Sequence, residues 1–125
     1  MRYFFALFVT LALSACSLFG TGGPYLVYFQ QHSAELDSDA RNVVALAAQR
    51  ATSQPASKVT VVGYTDSAGS PAADVVLSQR RAQAVADVLV ADGVAPSRLV
   101  RVGRGQTGTD PGLASRRVEI MIGGG

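Results

Sequence analysis

Two helical patterns alternate with short apolar runs along this chain, and their order restricts its fold more than any other feature. The predicted elements, in chain order, are a strand at Tyr25–Phe29, a helix from Asp37 to about Thr52, a strand at Lys58–Gly63, a helix from about Ala72 to Ala91, and strands at Arg98–Val102 and Arg116–Ile122. Helical crossovers between the early strands imply parallel pairing. The predicted fold is an α+β sandwich, β-α-β-α-β-β, with two helices on one face of a mixed four-stranded sheet.

Apolar positions within these segments predict which parts are buried. The second strand is a near-continuous apolar run, which predicts an interior place in the sheet. Asp37 or Ser38 is expected to cap the first helix. The buried stripe of that helix is expected to comprise Val43, Val44, Leu46 and Ala47.

The N-terminus has the pattern of a secretory signal peptide. Met1-Arg2 precedes the apolar run Tyr3–Leu13, which is shorter than the roughly 20 residues that span a bilayer. The alternative is a buried N-terminal strand or helix. Leu13-Ser14-Ala15-Cys16 also resembles the lipobox of bacterial lipoproteins, in which the cysteine becomes the lipidated first residue of the mature protein.

Lipidation would account for a lone cysteine in an oxidising compartment. The expected organisation is a signal peptide at 1–15, lipidated Cys16 and a short tether at 16–24, one domain at 25–122, and a frayed tail at 123–125. Acyl chains such as palmitate would hold Cys16 to a membrane. Since Ser17 follows the cysteine, the outer membrane is expected, with the domain facing the periplasm.

Composition and charge argue against several classes of function. The formal net charge of +2 is too near neutral for the basic footprint of a nucleic-acid-binding protein. Residues 103–108 fit G-x-G-x-x-G, but too little chain follows for a dinucleotide-binding unit. His32, the only histidine, is predicted to be a solvated loop residue. No metal or cofactor is therefore expected.

The second helix carries charges on the face that it should bury. At about 100° per residue, with Leu77 at zero, Arg81 falls near ~40° and Asp74 near ~60°, inside the apolar stripe. A buried guanidinium needs a partner. Asp66, at the end of the second strand, is the natural counter-charge. The helical angle of Arg81 predicts that this side chain points at the sheet.

These residues predict a small amphoteric pocket at the strand ends, where parallel β-α units bind ligands. Asp66 would receive an ammonium group, while Arg81 and the loop amides of residues 65–70 would hold a carboxylate. The alternative is an internal Asp66–Arg81 ion pair that only joins loop to helix. Asp74 has its own structural alternative, as a residue stabilised by the helix dipole.

The segments VVGYTDSAGS, LSQRRAQAVADVLVADGV, RLVRVGRGQT and SRRVEI, in that order, resemble the OmpA-like, peptidoglycan-associated domain of bacterial envelope proteins. The resemblance covers Tyr25 to about Ile122 and implies the fold predicted above. It also implies non-covalent binding of the diaminopimelate residue of the peptidoglycan stem peptide. By the same resemblance, Asp66 and Arg81 grip its amine and carboxylate, Leu77 makes an apolar contact, and Thr65 and Gly69 belong to the binding loop.

Two positions depart from the family pattern. Asp74 stands where Asn is usual, and the added negative charge is expected to weaken binding or shift ligand choice. Ser115 stands where Asn usually precedes the arginine pair. Arg116 shares the inward parity of Val118 and is predicted to reach the pocket, while Arg117 faces out.

The expected function is that of an outer-membrane lipoprotein that anchors the envelope to peptidoglycan, with the membrane and other envelope proteins as further partners. The alternative is an envelope scaffold whose degenerate pocket binds another protein. An enzyme that hydrolyses glycan with Asp66 and Asp74 is a third interpretation. An arginine on the same face favours binding over proton transfer, so no enzyme is expected.

Overall fold

The computed structural model describes residues 23–66, 69–107 and 112–123. Its elements are β1 (Tyr25–Tyr28), α1 (Ser38–Ser53), β2 (Val59–Thr65), α2 (Pro71–Ala91), β3 (Leu99–Gln106) and β4 (Arg117–Ile122), with single 3₁₀ turns at Pro96–Arg98 and Leu113–Ser115. The element order is the predicted one. The predicted signal peptide, Cys16, most of the tether and the last two glycines lie outside the described residues.

The four strands form one mixed sheet in the order β1-β4-β2-β3. β2 pairs with β3 in parallel, whereas β4 is antiparallel to both β1 and β2. β4 therefore lies between the first two strands, and the predicted interior place of β2 is confirmed. This topology brings the last residues of β1, β2 and β3 and the first residues of β4 to the same end of the sheet.

Both helices cover one face of the sheet, and α2 lies directly on the backbones of β2 and β3. A Cβ on Gly63 would overlap the backbone oxygen of Ser78, and one on Gly103 would overlap Gln79. This close approach aims the buried side of α2, which includes Asp74 and Arg81, at the strand ends. Within the described residues, neither helix is long and apolar enough to cross a membrane.

Two details of the sequence prediction are wrong. Leu46 is 57% exposed, because the buried stripe of α1 follows Ala40, Val44, Ala47, Ala48 and Ala51. The segment 103–106, predicted as loop, continues β3, because glycine fits beneath the α2 backbone where a side chain would not. Asp37, one of the two proposed caps, accepts a 2.7 Å hydrogen bond from the Ala40 amide.

Candidate ligand-binding site

The polar residues predicted to form a pocket lie together at the end of the sheet where β1, β2 and β3 end and β4 begins. Thr65 closes β2, Asp66 follows it, and Arg116 directly precedes β4. Gly69 leads into α2, whose first turns carry Asp74. We call this group, together with Arg81 and Gln106, the strand-end site.

Asp66 and Arg116 form the ion pair nearest the surface of this site. Nη1 of Arg116 lies 3.2 Å from Oδ2 of Asp66, and the two side chains are 18% and 13% exposed, respectively. Nε of Arg116 also donates to the Phe29 carbonyl at 3.0 Å, which fixes the guanidinium against the end of β1. A carboxylate and a guanidinium thus stand side by side, each partly open to solvent.

Arg81 lies beneath this pair and has no exposed surface. Its Nε, Nη1 and Nη2 donate to the backbone carbonyls of Ser33, Tyr64 and Gln30 at 2.7, 3.0 and 3.0 Å. The guanidinium carbon also lies 5.3 Å from the centre of the Phe29 ring, within the range of a cation–π contact. Arg81 therefore joins the loop after β1 to the end of β2.

The alternative of a direct Asp66–Arg81 ion pair is wrong in its geometry. Among the described residues, Asp66 forms its salt bridge with Arg116, and the donors of Arg81 are directed at carbonyl oxygens. Burial lowers the pKa of the Arg81 guanidinium below its usual range, the nearby Asp66 carboxylate opposes that shift, Arg116 adds to it, and Asp74 opposes it. The Arg81 cation is therefore stabilised by carbonyl oxygens and by the more distant charges of Asp66 and Asp74, without a carboxylate in direct contact.

Asp74 faces the interior of the site and is only 4% exposed. Its Oδ2 accepts a 2.5 Å hydrogen bond from Nε2 of Gln106, at the end of β3. Asp74 also lies in the first turn of α2, where Ser70 is the N-cap and the helix dipole favours a negative charge. A buried carboxylate is therefore compensated without a cation in direct contact.

The remaining predicted residues occupy different depths. Thr65 is fully buried, and its hydroxyl has no hydrogen-bond partner among the described residues. Gly69 is exposed at the rim, and Leu77 is half-buried on α2.

Several contacts in the strand-end site could not be found from sequence patterns. The carbonyl oxygens of Gln30, Ser33 and Tyr64 belong to the backbone and leave no residue-type signal. Gln106 is not among the predicted site residues, and the sequence pattern predicts a loop at its position. The alternation of side chains along the last strand predicts that Arg116 and Arg117 point to opposite sides. Arg116 pairs with Asp66, whereas Arg117 pairs with Glu119 and stacks on the ring of Tyr64.

The arrangement is suited to binding a molecule that carries both charges. An amino group can approach the Asp66 carboxylate while a carboxylate approaches Arg116, and the charge of Arg81 lies below.

His32 lies exposed in the loop after β1 with a φ of 58°. Within the described ranges, no three His, Cys, Asp or Glu side chains are grouped as metal ligands.

Comparison with known proteins gives consistent similarities. A sequence profile of the OmpA family matches residues 28–117. Outer membrane porin F of Pseudomonas fluorescens is 45% identical over 91 residues, 67% of this chain and 27% of that protein. The peptidoglycan-binding protein ArfA of Mycobacterium tuberculosis is 38% identical over 109 residues, 82% of this chain and 33% of that protein.

The fold has a counterpart among solved structures. The peptidoglycan-associated lipoprotein from Burkholderia pseudomallei superimposes with a TM-score of 0.71 at 26% identity, over 78% of this chain and 89% of that chain. The chain spans about a third or less of the length of the two curated relatives named above. The similarity therefore concerns one domain of those proteins.

Replacing Arg81 with methionine should destabilise the fold, because three backbone carbonyl oxygens lose the donors of a fully buried side chain. We expect the free energy of unfolding, measured with urea, to fall by at least about 3 kcal/mol. Arg80→Met is the matched control, since Arg80 is exposed on the same helix, and should change it by less than about 0.5 kcal/mol. Equal stability of the two variants would contradict the structural role of Arg81.

Proposed function

The chain belongs to the OmpA family of peptidoglycan-binding domains, and we propose that it is an outer-membrane lipoprotein that anchors the envelope to the cell wall. In this proposal the ligand is the diaminopimelate residue of the stem peptide, bound without covalent change. The family consists of structural and binding domains that are not known as enzymes. A role in binding, without catalysis, is therefore proposed here as well.

The observation that carries the proposal is the partly exposed pair of Asp66 and Arg116, 3.2 Å apart. The free end of diaminopimelate has an ammonium and a carboxylate on one carbon atom. Its ammonium would replace Arg116 as the partner of Asp66, and its carboxylate would replace Asp66 as the partner of Arg116. Each of these partly exposed charges would stay paired before and after binding, which avoids the cost of an isolated charge.

Arg81 has a supporting role in this proposal. It adds positive charge beneath the carboxylate and holds the loop after β1 through Gln30 and Ser33. A direct grip on the ligand, implied by the family resemblance, would require the carboxylate to displace the residues that now cover Arg81. Thr65, Gly69 and Leu77 would line the site, and the Thr65 hydroxyl has no hydrogen-bond partner among the described residues.

The sheet geometry supports an anchor that points its site away from the membrane. β1 begins at Tyr25, which pairs with Ile120, and ends at Tyr28, which pairs with Arg117 beside the site. The tether therefore enters at the end of β1 opposite to the site. If Cys16 is lipidated, residues 17–24 would span under about 30 Å even when extended. The domain would face the periplasm close to its membrane.

Removing the charge of Asp66 should weaken ligand binding. Calorimetric titration of residues 17–125, which include every described element, would use a diaminopimelate-containing muropeptide. We expect Asp66→Asn and Arg116→Gln each to raise the dissociation constant at least about tenfold, because each loses a charge-assisted hydrogen bond. A lysine-containing muropeptide, which lacks the carboxylate on that carbon, should bind wild type more weakly.

Asp92→Asn is the matched control, because this exposed carboxylate at the end of α2 lies at the opposite end of the sheet. Its dissociation constant should equal that of wild type. Full affinity in Asp66→Asn would contradict the assigned role of Asp66. No binding by folded wild type would favour a scaffold that binds another envelope protein.

Cys16→Ala should abolish lipidation. The full-length chain, expressed in a Gram-negative host with radiolabelled palmitate, should incorporate label, and the variant should not. Since Cys16 is the only cysteine, no other thiol can accept the modification. An unlabelled wild type, or label retained in the variant, would contradict the lipid anchor.

A further inference from the structure

We propose that Gln106 is a positioning residue that fixes the binding loop, and that the Asp74 carboxylate serves as its partner and not as a ligand contact. This inference rests on the proposed function and adds a residue that the sequence patterns did not indicate. We call the group of Gln106, Gly69 and Asp74 the Gln106 clamp.

The contacts of one amide group define this clamp. Nε2 of Gln106 donates to Oδ2 of Asp74 at 2.5 Å and to the carbonyl oxygen of Gly69 at 3.3 Å. An amide nitrogen has two N–H groups, so both are used. The end of β3 is thereby tied to the loop that follows Asp66 and to the start of α2.

A bulge in β3 directs Gln106 toward these partners. Gly63 pairs with Gly103, but Thr65 pairs with Gln106, so β3 has one extra residue over this interval. Gly105 has a φ of 72°, the left-handed conformation that a glycine bulge requires. Because side chains alternate between faces, the extra residue moves Gln106 to the inward side that Thr65 occupies. The G-x-G spacing at 103–105 thus serves the site through backbone geometry.

The neighbouring residue ties the other side of the site. The Thr107 amide donates to the Thr65 carbonyl at 3.2 Å, and the Thr107 and Ser115 hydroxyls lie 2.7 Å apart. Ser115 directly precedes Arg116. Residues 106 and 107 therefore connect the loop after Asp66 with the segment that carries Arg116, and so contribute to the spacing of the two proposed ligand contacts.

The clamp changes what Asp74 is expected to do. Its carboxylate is 4% exposed and bonded to Gln106, so its charge is directed into the protein. An asparagine at this position would still present an oxygen to Gln106. The clamp therefore predicts that Asp74→Asn preserves ligand binding, contrary to the expectation that the added negative charge weakens it.

Two measurements on the protein purified in detergent test this inference: titration with the diaminopimelate muropeptide and amide hydrogen exchange without ligand. Gln106→Leu should weaken binding at least about tenfold and speed exchange of the Ala73 amide, which donates to the Ser70 hydroxyl just after Gly69. Exchange at Val61, in the centre of the sheet, should stay unchanged, which separates loosening of the loop from general destabilisation. Asp74→Asn should leave affinity and exchange within about twofold of wild type, because the hydrogen bond is kept.

Gln106→Glu removes both N–H donors and places two carboxylates together, so it should resemble Gln106→Leu. Unchanged exchange of the Ala73 amide in Gln106→Leu would overturn the clamp. Weaker binding by Asp74→Asn, with unchanged exchange, would show that the Asp74 charge contacts the ligand and would also overturn it. If wild type binds no muropeptide, the proposed function fails, while the exchange comparison still decides whether the clamp exists.

Discussion

The buried guanidinium of Arg81 is the interaction on which the strand-end site depends. Three backbone carbonyls, from the loop after β1 and from β2, accept its hydrogen bonds, so the cation needs no carboxylate in contact. Asp66 is then available to pair with Arg116 nearer the surface. One buried cation thus supports the loop from below, and the Asp66–Arg116 ion pair lies above it.

The same sheet gives the protein two ends with different properties. The strand ends gather the charged residues, while the chain enters β1 at the opposite end. A ligand with an ammonium and a carboxylate on one carbon can replace the Asp66–Arg116 pair without leaving a charge uncompensated. Recognition of this kind requires fixed spacing between the two side chains, and Gln106 and Thr107 connect the two segments that carry them.

Much of the fold followed from patterns in the sequence, because strand and helix periodicities and helix-ending signals are local. The inward orientation of Asp74 and Arg81 was predictable for the same reason: helical spacing places them with the apolar stripe. Leu46 is the exception on α1: its apolar character predicts burial, but it lies off the helical period of the buried alanines and is exposed. The partners of Arg81 and the role of Gln106 were beyond prediction, since backbone carbonyls and a one-residue bulge leave little trace in residue types.

The central claim is that a zwitterionic group binds between Asp66 and Arg116, and a crystal structure with a diaminopimelate-containing muropeptide tests it most directly. The account predicts the ligand ammonium within about 3 Å of the Asp66 carboxylate and the ligand carboxylate at the same distance from Arg116. The Asp66–Arg116 contact, 3.2 Å in the free protein, should then be broken. A ligand bound elsewhere, with that contact intact, would contradict the account.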